Sequence, residues 1–93
     1  MISITNENQV PKNGTQIIYF TSENCEACNL LTPKLSRLVE NKGYRNWYSI
    51  DVNKVQSLGE QFKVEFIPTV IVLQDGKEVR RATGIKNIEY IGI

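Results

Sequence analysis

Cys25 and Cys28 are the only two cysteines of the 93-residue chain, and two residues separate them in Cys25-Glu26-Ala27-Cys28. Thiols at this spacing in the first turn of a helix come close enough to bridge, within the geometric limits of a disulfide. The pair sits where an apolar run, Ile17-Ile18-Tyr19-Phe20, gives way through Thr21-Ser22-Glu23-Asn24 to a helical pattern from Leu30 to Val39. The first sulfur then faces the unpaired N–H groups and positive dipole end of the helix, which favour a thiolate, the reactive form of cysteine. Reversible dithiol chemistry, a shared metal ion and an inert buried pair are the three uses open to it.

The composition removes several competitors. Histidine is absent, which excludes Cys-His nucleophile pairs, histidine acid–base catalysis and every zinc set that contains a histidine. One Cys-x-x-Cys supplies two of the four ligands zinc needs, so a metal requires a dimer or added carboxylates from Glu23 and Glu26. A net charge of +1 gives no field for recruiting nucleic acid or an anionic membrane, and neither a base-reading element nor a glycine-rich phosphate loop is present. No apolar stretch reaches the roughly 20 residues that span a bilayer. Met1 to Asn8 shows neither a basic start nor an apolar core of a secretory signal, so the sequence predicts a cytoplasmic protein, where two cysteines serve catalysis or metal binding rather than stapling.

The elements that position the pair follow in order, and the length predicts one domain over residues 1–93. Residues 2–4 read as a short edge strand, residues 5–15 as a loop. Gln16 to Thr21 is a buried central strand. Ser22 or Asn24 is the predicted cap of a helix starting at Asn24 or Cys25, with Cys28, Leu31, Leu35, Leu38, Val39 and Lys42 on its inner face. Pro33 should kink that helix and Gly43 should end it. Trp47 to Val52 is a second strand, parallel to the first by a right-handed crossover. A short helix over Lys54 to Phe62, capped by Asp51 or Asn53 and interrupted by Gly59, comes next. Pro68 opens a strand over Thr69 to Leu73, Asp75-Gly76 turns it, and Lys77 to Thr83 returns antiparallel. Ile85, Ile88 and Ile91 repeat in a last short helical stretch, too short to cover all the apolar sheet surface.

This is an α/β arrangement, a mixed four- to five-stranded sheet flanked by helices. From Ile17 to about Gly84 it resembles the thioredoxin family: strand into Cys-x-x-Cys, Pro33 eight residues after the first cysteine, the Ile50-Asp51 strand end, Ile67-Pro68-Thr69 before a strand, the Asp75-Gly76 hairpin and Gly84. The resemblance implies a thioredoxin-like fold with a shortened C-terminal helix, and a thiol–disulfide oxidoreductase that reduces protein disulfides without a cofactor. It implies Cys25 as the attacking thiol, Cys28 as the resolving thiol, and Pro68 as a cis-proline beside them. Ile67, Pro68 and Gly84 then line the substrate path. The partners implied are disulfide-containing proteins and a thioredoxin-reductase-like or small-thiol electron donor, acting on a monomer or weak dimer.

The departures from the family pattern bear on tuning. Asn24 replaces the tryptophan before the first cysteine. Glu26, with Glu23, puts carboxylates near the sulfurs, where like charge raises a thiol pKa and makes the couple more reducing. Tyr19 stands where the family has a buried aspartate, and Trp47 where it has the lysine that pairs with it. Tyr19 is a poor base, and its hydroxyl is expected near a water beside Cys28. A glutathione-linked, glutaredoxin-like enzyme and a binding adaptor with vestigial cysteines are the alternative functions.

Overall fold

The computed structural model describes residues 1–44 and 46–92. Its five strands are β1 (Ile2–Ser3), β2 (Thr15–Thr21), β3 (Tyr48–Asp51), β4 (Thr69–Gln74) and β5 (Lys77–Thr83). The helices among these residues are α1 (Glu26–Asn41), α2 (Gln56–Gln61) and α3 (Ile85–Glu89). The strands form one sheet in the order β1-β3-β2-β4-β5. β1, β3 and β2 run parallel, while β4 and β5 join as an antiparallel hairpin.

Alternation along β2 sorts the core into two layers, because successive side chains leave opposite faces of a strand. Ile17 and Tyr19 join Leu31, Leu35 and Val39 of α1 and Ile88 of α3 on one face. Ile18 and Phe20 join Ile50, Leu58 and Ile71 on the other, beneath α2. All of these side chains are buried, which explains why β2 carries an unbroken apolar run at the sheet centre. The predicted inner face of α1 holds for Cys28, Leu31, Leu35 and Val39. Lys42 departs from it: it is exposed and lies past the last helical residue. The helix runs on through the exposed Pro33. It closes as anticipated, with Gly43 at φ 84 donating to Glu40 O (3.0 Å) and Tyr44 donating to Val39 O (3.2 Å). That pair of bonds satisfies carbonyls left open at a helix end, and a left-handed residue is what permits it.

Several boundaries differ from the sequence reading. The stretch over residues 5–15 holds a 3-10 turn, Glu7–Gln9, closed reciprocally by Asn6 and Gln9 side chains. The second parallel strand starts at Tyr48, with Trp47 buried just before it. α2 begins two residues later than predicted and takes Gly59 in stride; the glycine is buried, and a Cβ placed on it would meet the Val52 side chain at 3.7 Å. Asp51 does cap, but what it caps is the preceding turn: its Oδ1 accepts from Asn53 N at 2.9 Å. The apolar sheet surface expected to lie bare is covered at Val70 and Val72, which are buried. Ile88 docks fully there, Tyr44 and Ile91 pack alongside, and Arg80 reaches the carbonyls of Ile91 and Gly92.

The hairpin contains one irregularity. Val72 pairs with Arg80 and Leu73 with Glu78, so Val79 is an extra residue that bulges from β5. On a regular strand, residues three apart face opposite ways. The bulge returns Glu78 and Arg81 to the same face, where they form a two-pronged ion pair at 2.6 and 2.7 Å. From there Arg81 also donates to the carbonyls of Phe62 and Lys63 at the end of α2.

Candidate redox site

β2 ends at Thr21, and after four intervening residues the chain enters α1. The cap of α1 is neither Ser22 nor Asn24 but Cys25 itself, whose Sγ accepts the Cys28 N–H at 3.1 Å. Ser22 and Asn24 shape the approach instead: Cys25 N donates to Ser22 O (3.2 Å), and Ser22 Oγ accepts from Asn53 Nδ2 (2.8 Å). A sulfur in the N-cap position meets N–H groups that the helix leaves unpaired, and these favour its ionised form.

Cys25 and Cys28 are joined by a disulfide with Cα atoms 5.1 Å apart. Their environments differ as anticipated: Cys25 is partly exposed and Cys28 is completely buried. No group of three or more potential metal-ligating side chains occurs among the described residues.

The turn between α2 and β4 reaches the same place. β2 and β4 are in register with Phe20 opposite Thr69, so Pro68 lies next to the strand end that leads into Cys25. The Ile67–Pro68 peptide is cis. Thr69 Oγ1 holds the turn from inside, donating to Phe66 O at 2.5 Å. Gly84 donates its N–H to Pro68 O at 2.9 Å, which ties the half-buried Gly84 to the buried Pro68, with Ile67 half-buried beside it. Phe66, which the sequence reading passed over, is 70% exposed there. An apolar ring left in water beside a proline turn is the signal that could have singled it out.

The tuning residues fall less simply. Glu26 is exposed in the first turn of α1. Glu23 is not a free carboxylate, since Lys54 Nζ lies 2.5 Å from it. The hydrogen bond to Glu23, with the charge of that carboxylate behind it, holds the Lys54 ammonium above its ordinary pKa. Lys54 is 31 positions away in sequence, and nothing in its local pattern signalled the pairing. Together they edge a cleft of about 510 Å³ of mixed lining, whose walls include Ile4, Thr21, Asn29, Asp51 and Val55. Tyr19 lies under the turn and is fully buried, its ring centroid 5.9 Å from that of Trp47. Its hydroxyl donates to the carbonyl of Cys28 at 3.0 Å, and Thr32 Oγ1 stands 3.1 Å away.

A capping sulfur bonded to a buried one, at the start of a helix that leaves the centre of a mixed sheet, defines a thiol–disulfide oxidoreductase. Comparison with known proteins gives the family. The Thioredoxin family model matches residues 3–92, and the chain belongs to the thioredoxin family. It is 37% identical over 75 residues to a thioredoxin of Chlamydia muridarum (strain MoPn / Nigg), spanning 81% of this chain and 74% of that one. A thioredoxin H-type of Fagopyrum esculentum is 31% identical over 75 residues, spanning 81% of this chain and 65% of that protein. Among solved structures, Fasciola hepatica thioredoxin superposes with a TM-score of 0.86 at 21% identity, covering 97% of this chain and 92% of that one. No helix among the described residues is long and apolar enough to cross a membrane.

Proposed function

We propose that residues 1–93 work as one domain that reduces protein disulfides, with Cys25 attacking and Cys28 resolving. The observation that carries this reading is the asymmetry of the pair: a partly exposed sulfur held by a helix N–H, bonded to a fully buried one. The Cys25 thiolate attacks one sulfur of the substrate disulfide and a mixed disulfide forms, while the other substrate sulfur leaves and takes up a proton. Cys28 then loses its proton and attacks Cys25 Sγ. The substrate departs as a second thiol, two electrons reduced, and the Cys25–Cys28 bond closes.

Ile67, Pro68 and Gly84 carry the extended substrate segment across the face beside Cys25. The hydrogen bond that joins Gly84 to Pro68 supports this, as does the exposed Phe66 in the same turn. A thioredoxin-reductase-like protein or a small thiol restores the dithiol. The cytoplasm suits such a couple, and a monomer leaves the substrate face open. Glu26 and Glu23 set the potential from the first turn and the preceding loop.

Single-cysteine variants test the roles. With a protein disulfide as substrate, Cys28→Ser accumulates a covalent Cys25 adduct visible by intact mass, and Cys25→Ser forms none. An adduct on Cys28 in the Cys25→Ser protein, with none on Cys25 in the other, reverses the assignment.

A further inference from the structure

Among the described residues, no carboxylate, lysine or arginine side chain is buried, and Tyr19 is the one buried ionisable side chain besides the disulfide-bonded Cys28. The two are in contact through the backbone. Tyr19 Oη lies 3.0 Å from Cys28 O, and Thr32 Oγ1 donates to the same carbonyl at 2.8 Å from one turn further along α1. The far side of that peptide is engaged as well, since Asn29 N–H donates to Cys25 O at 3.0 Å. A line of hydrogen bonds therefore runs from the Tyr19 hydroxyl through the Cys28–Asn29 peptide to the Cys25 carbonyl. Such lines polarise and stiffen one another in a dry interior. The Tyr19 ring is itself held: it rises from the central strand, is fully enclosed, and packs against Trp47.

We infer that Tyr19 is a positioning residue for the resolving step, a fixed post from the sheet that pins the peptide of Cys28. The inference rests on the roles proposed above for the two cysteines. Once Cys25 carries substrate, the bond between the two cysteines is gone, and the aim of the buried Cys28 Sγ at Cys25 Sγ depends on where its backbone is held. Its amide N–H is directed at Cys25 Sγ, and its carbonyl is directed at Tyr19. Reaction at Cys25 comes before this demand arises, because the attack on substrate uses only the capping sulfur. Tyr19 touches neither sulfur and moves no proton; it acts through where Cys28 stands.

The test separates the two chemical steps in a single turnover of reduced protein with a protein disulfide, quenched by acid and read by intact mass. Tyr19→Phe keeps the ring and its packing, and Thr32 still serves the carbonyl. Appearance of the mixed disulfide should stay within about twofold of wild type, while its decay slows by about three- to tenfold, the reach of one lost hydrogen bond. Equal slowing of both steps means general loosening and overturns the inference, as does no change in decay. Thr32→Val provides the second variant and should slow decay less than Tyr19→Phe. A larger effect there transfers the role to Thr32 and also overturns it. If wild type forms no mixed disulfide at Cys25, the roles of the cysteines fail first, a result distinct from either of these.

Discussion

The backbone N–H of Cys28 points at the sulfur of Cys25 across 3.1 Å, so the buried cysteine supplies a hydrogen bond to its more exposed partner. Whatever charge stands near that sulfur competes with this bond and with the helix dipole for control of the thiolate. Glu26 is the carboxylate next in chain, exposed in the same turn. Replacing it by Gln removes a like charge, stabilises the thiolate and so the reduced protein, and shifts the reduction potential upward. A rise of about 10–30 mV is expected, since 30 mV corresponds to roughly 1.4 kcal/mol for a two-electron couple. Equilibrium redox titration followed by thiol alkylation measures it, and an unchanged potential removes Glu26 from the tuning of the pair.

Glu23 is a second carboxylate near the pair, but Lys54 partners it. Lys54→Met therefore exposes the charge of Glu23 to Cys25 and lowers the rate of Cys25 alkylation at neutral pH by about twofold, as befits a solvent-exposed pair. High salt should shrink the difference, because surface charges are screened. The double variant with Glu23→Gln should recover most of the rate. Recovery that fails places the effect of Lys54 elsewhere, on Asp51, whose charge also acts on it.

Glu78 and Arg81 give the fold a pH-dependent element. The hydrogen bond from Arg81 holds the Glu78 carboxyl below its ordinary pKa of 4.5. A carboxylate with a depressed folded-state pKa contributes stability that is complete above the unfolded value and disappears as pH falls through the folded one. The side chains are 37% and 33% exposed, so solvent screening limits the contribution to about 0.2–1 kcal/mol at neutral pH. Urea unfolding of Glu78→Gln against wild type should show that difference at pH 7 and lose it progressively as pH falls below 4.5 through the lowered folded-state value. A difference that persists in acid would make the role of Glu78 one of packing.

Much of the site was legible because its signals are local. Cys-x-x-Cys between an apolar strand and a helical pattern, Ile67-Pro68 before a strand, and Asp75-Gly76 between two strands each encode geometry within a few residues. What escaped depends on partners distant in sequence or on atoms that periodicity ignores. The pairing of Glu23 with Lys54 and the target of the Tyr19 hydroxyl belong to the tertiary structure. Sulfur is not counted among ordinary capping groups, so Ser22 and Asn24 drew the assignment that belongs to Cys25. The bulge at Val79 hid inside a strand whose residues look regular, although a Glu and an Arg three apart are the trace it leaves.

That bulge also bears on how the molecule meets copies of itself. β5 is the outer strand of the hairpin, and a flat outer strand with unpaired amides is a template on which another chain can add. Here the extra residue twists it, and Lys77, Glu78, Arg80 and Arg81 line it with charges of both signs. The opposite border of the sheet is only the two residues of β1. A crowded solution thus finds no long, flat, apolar border on which to extend this sheet into an aggregate, and the kink that joins Glu78 to Arg81 is part of the reason.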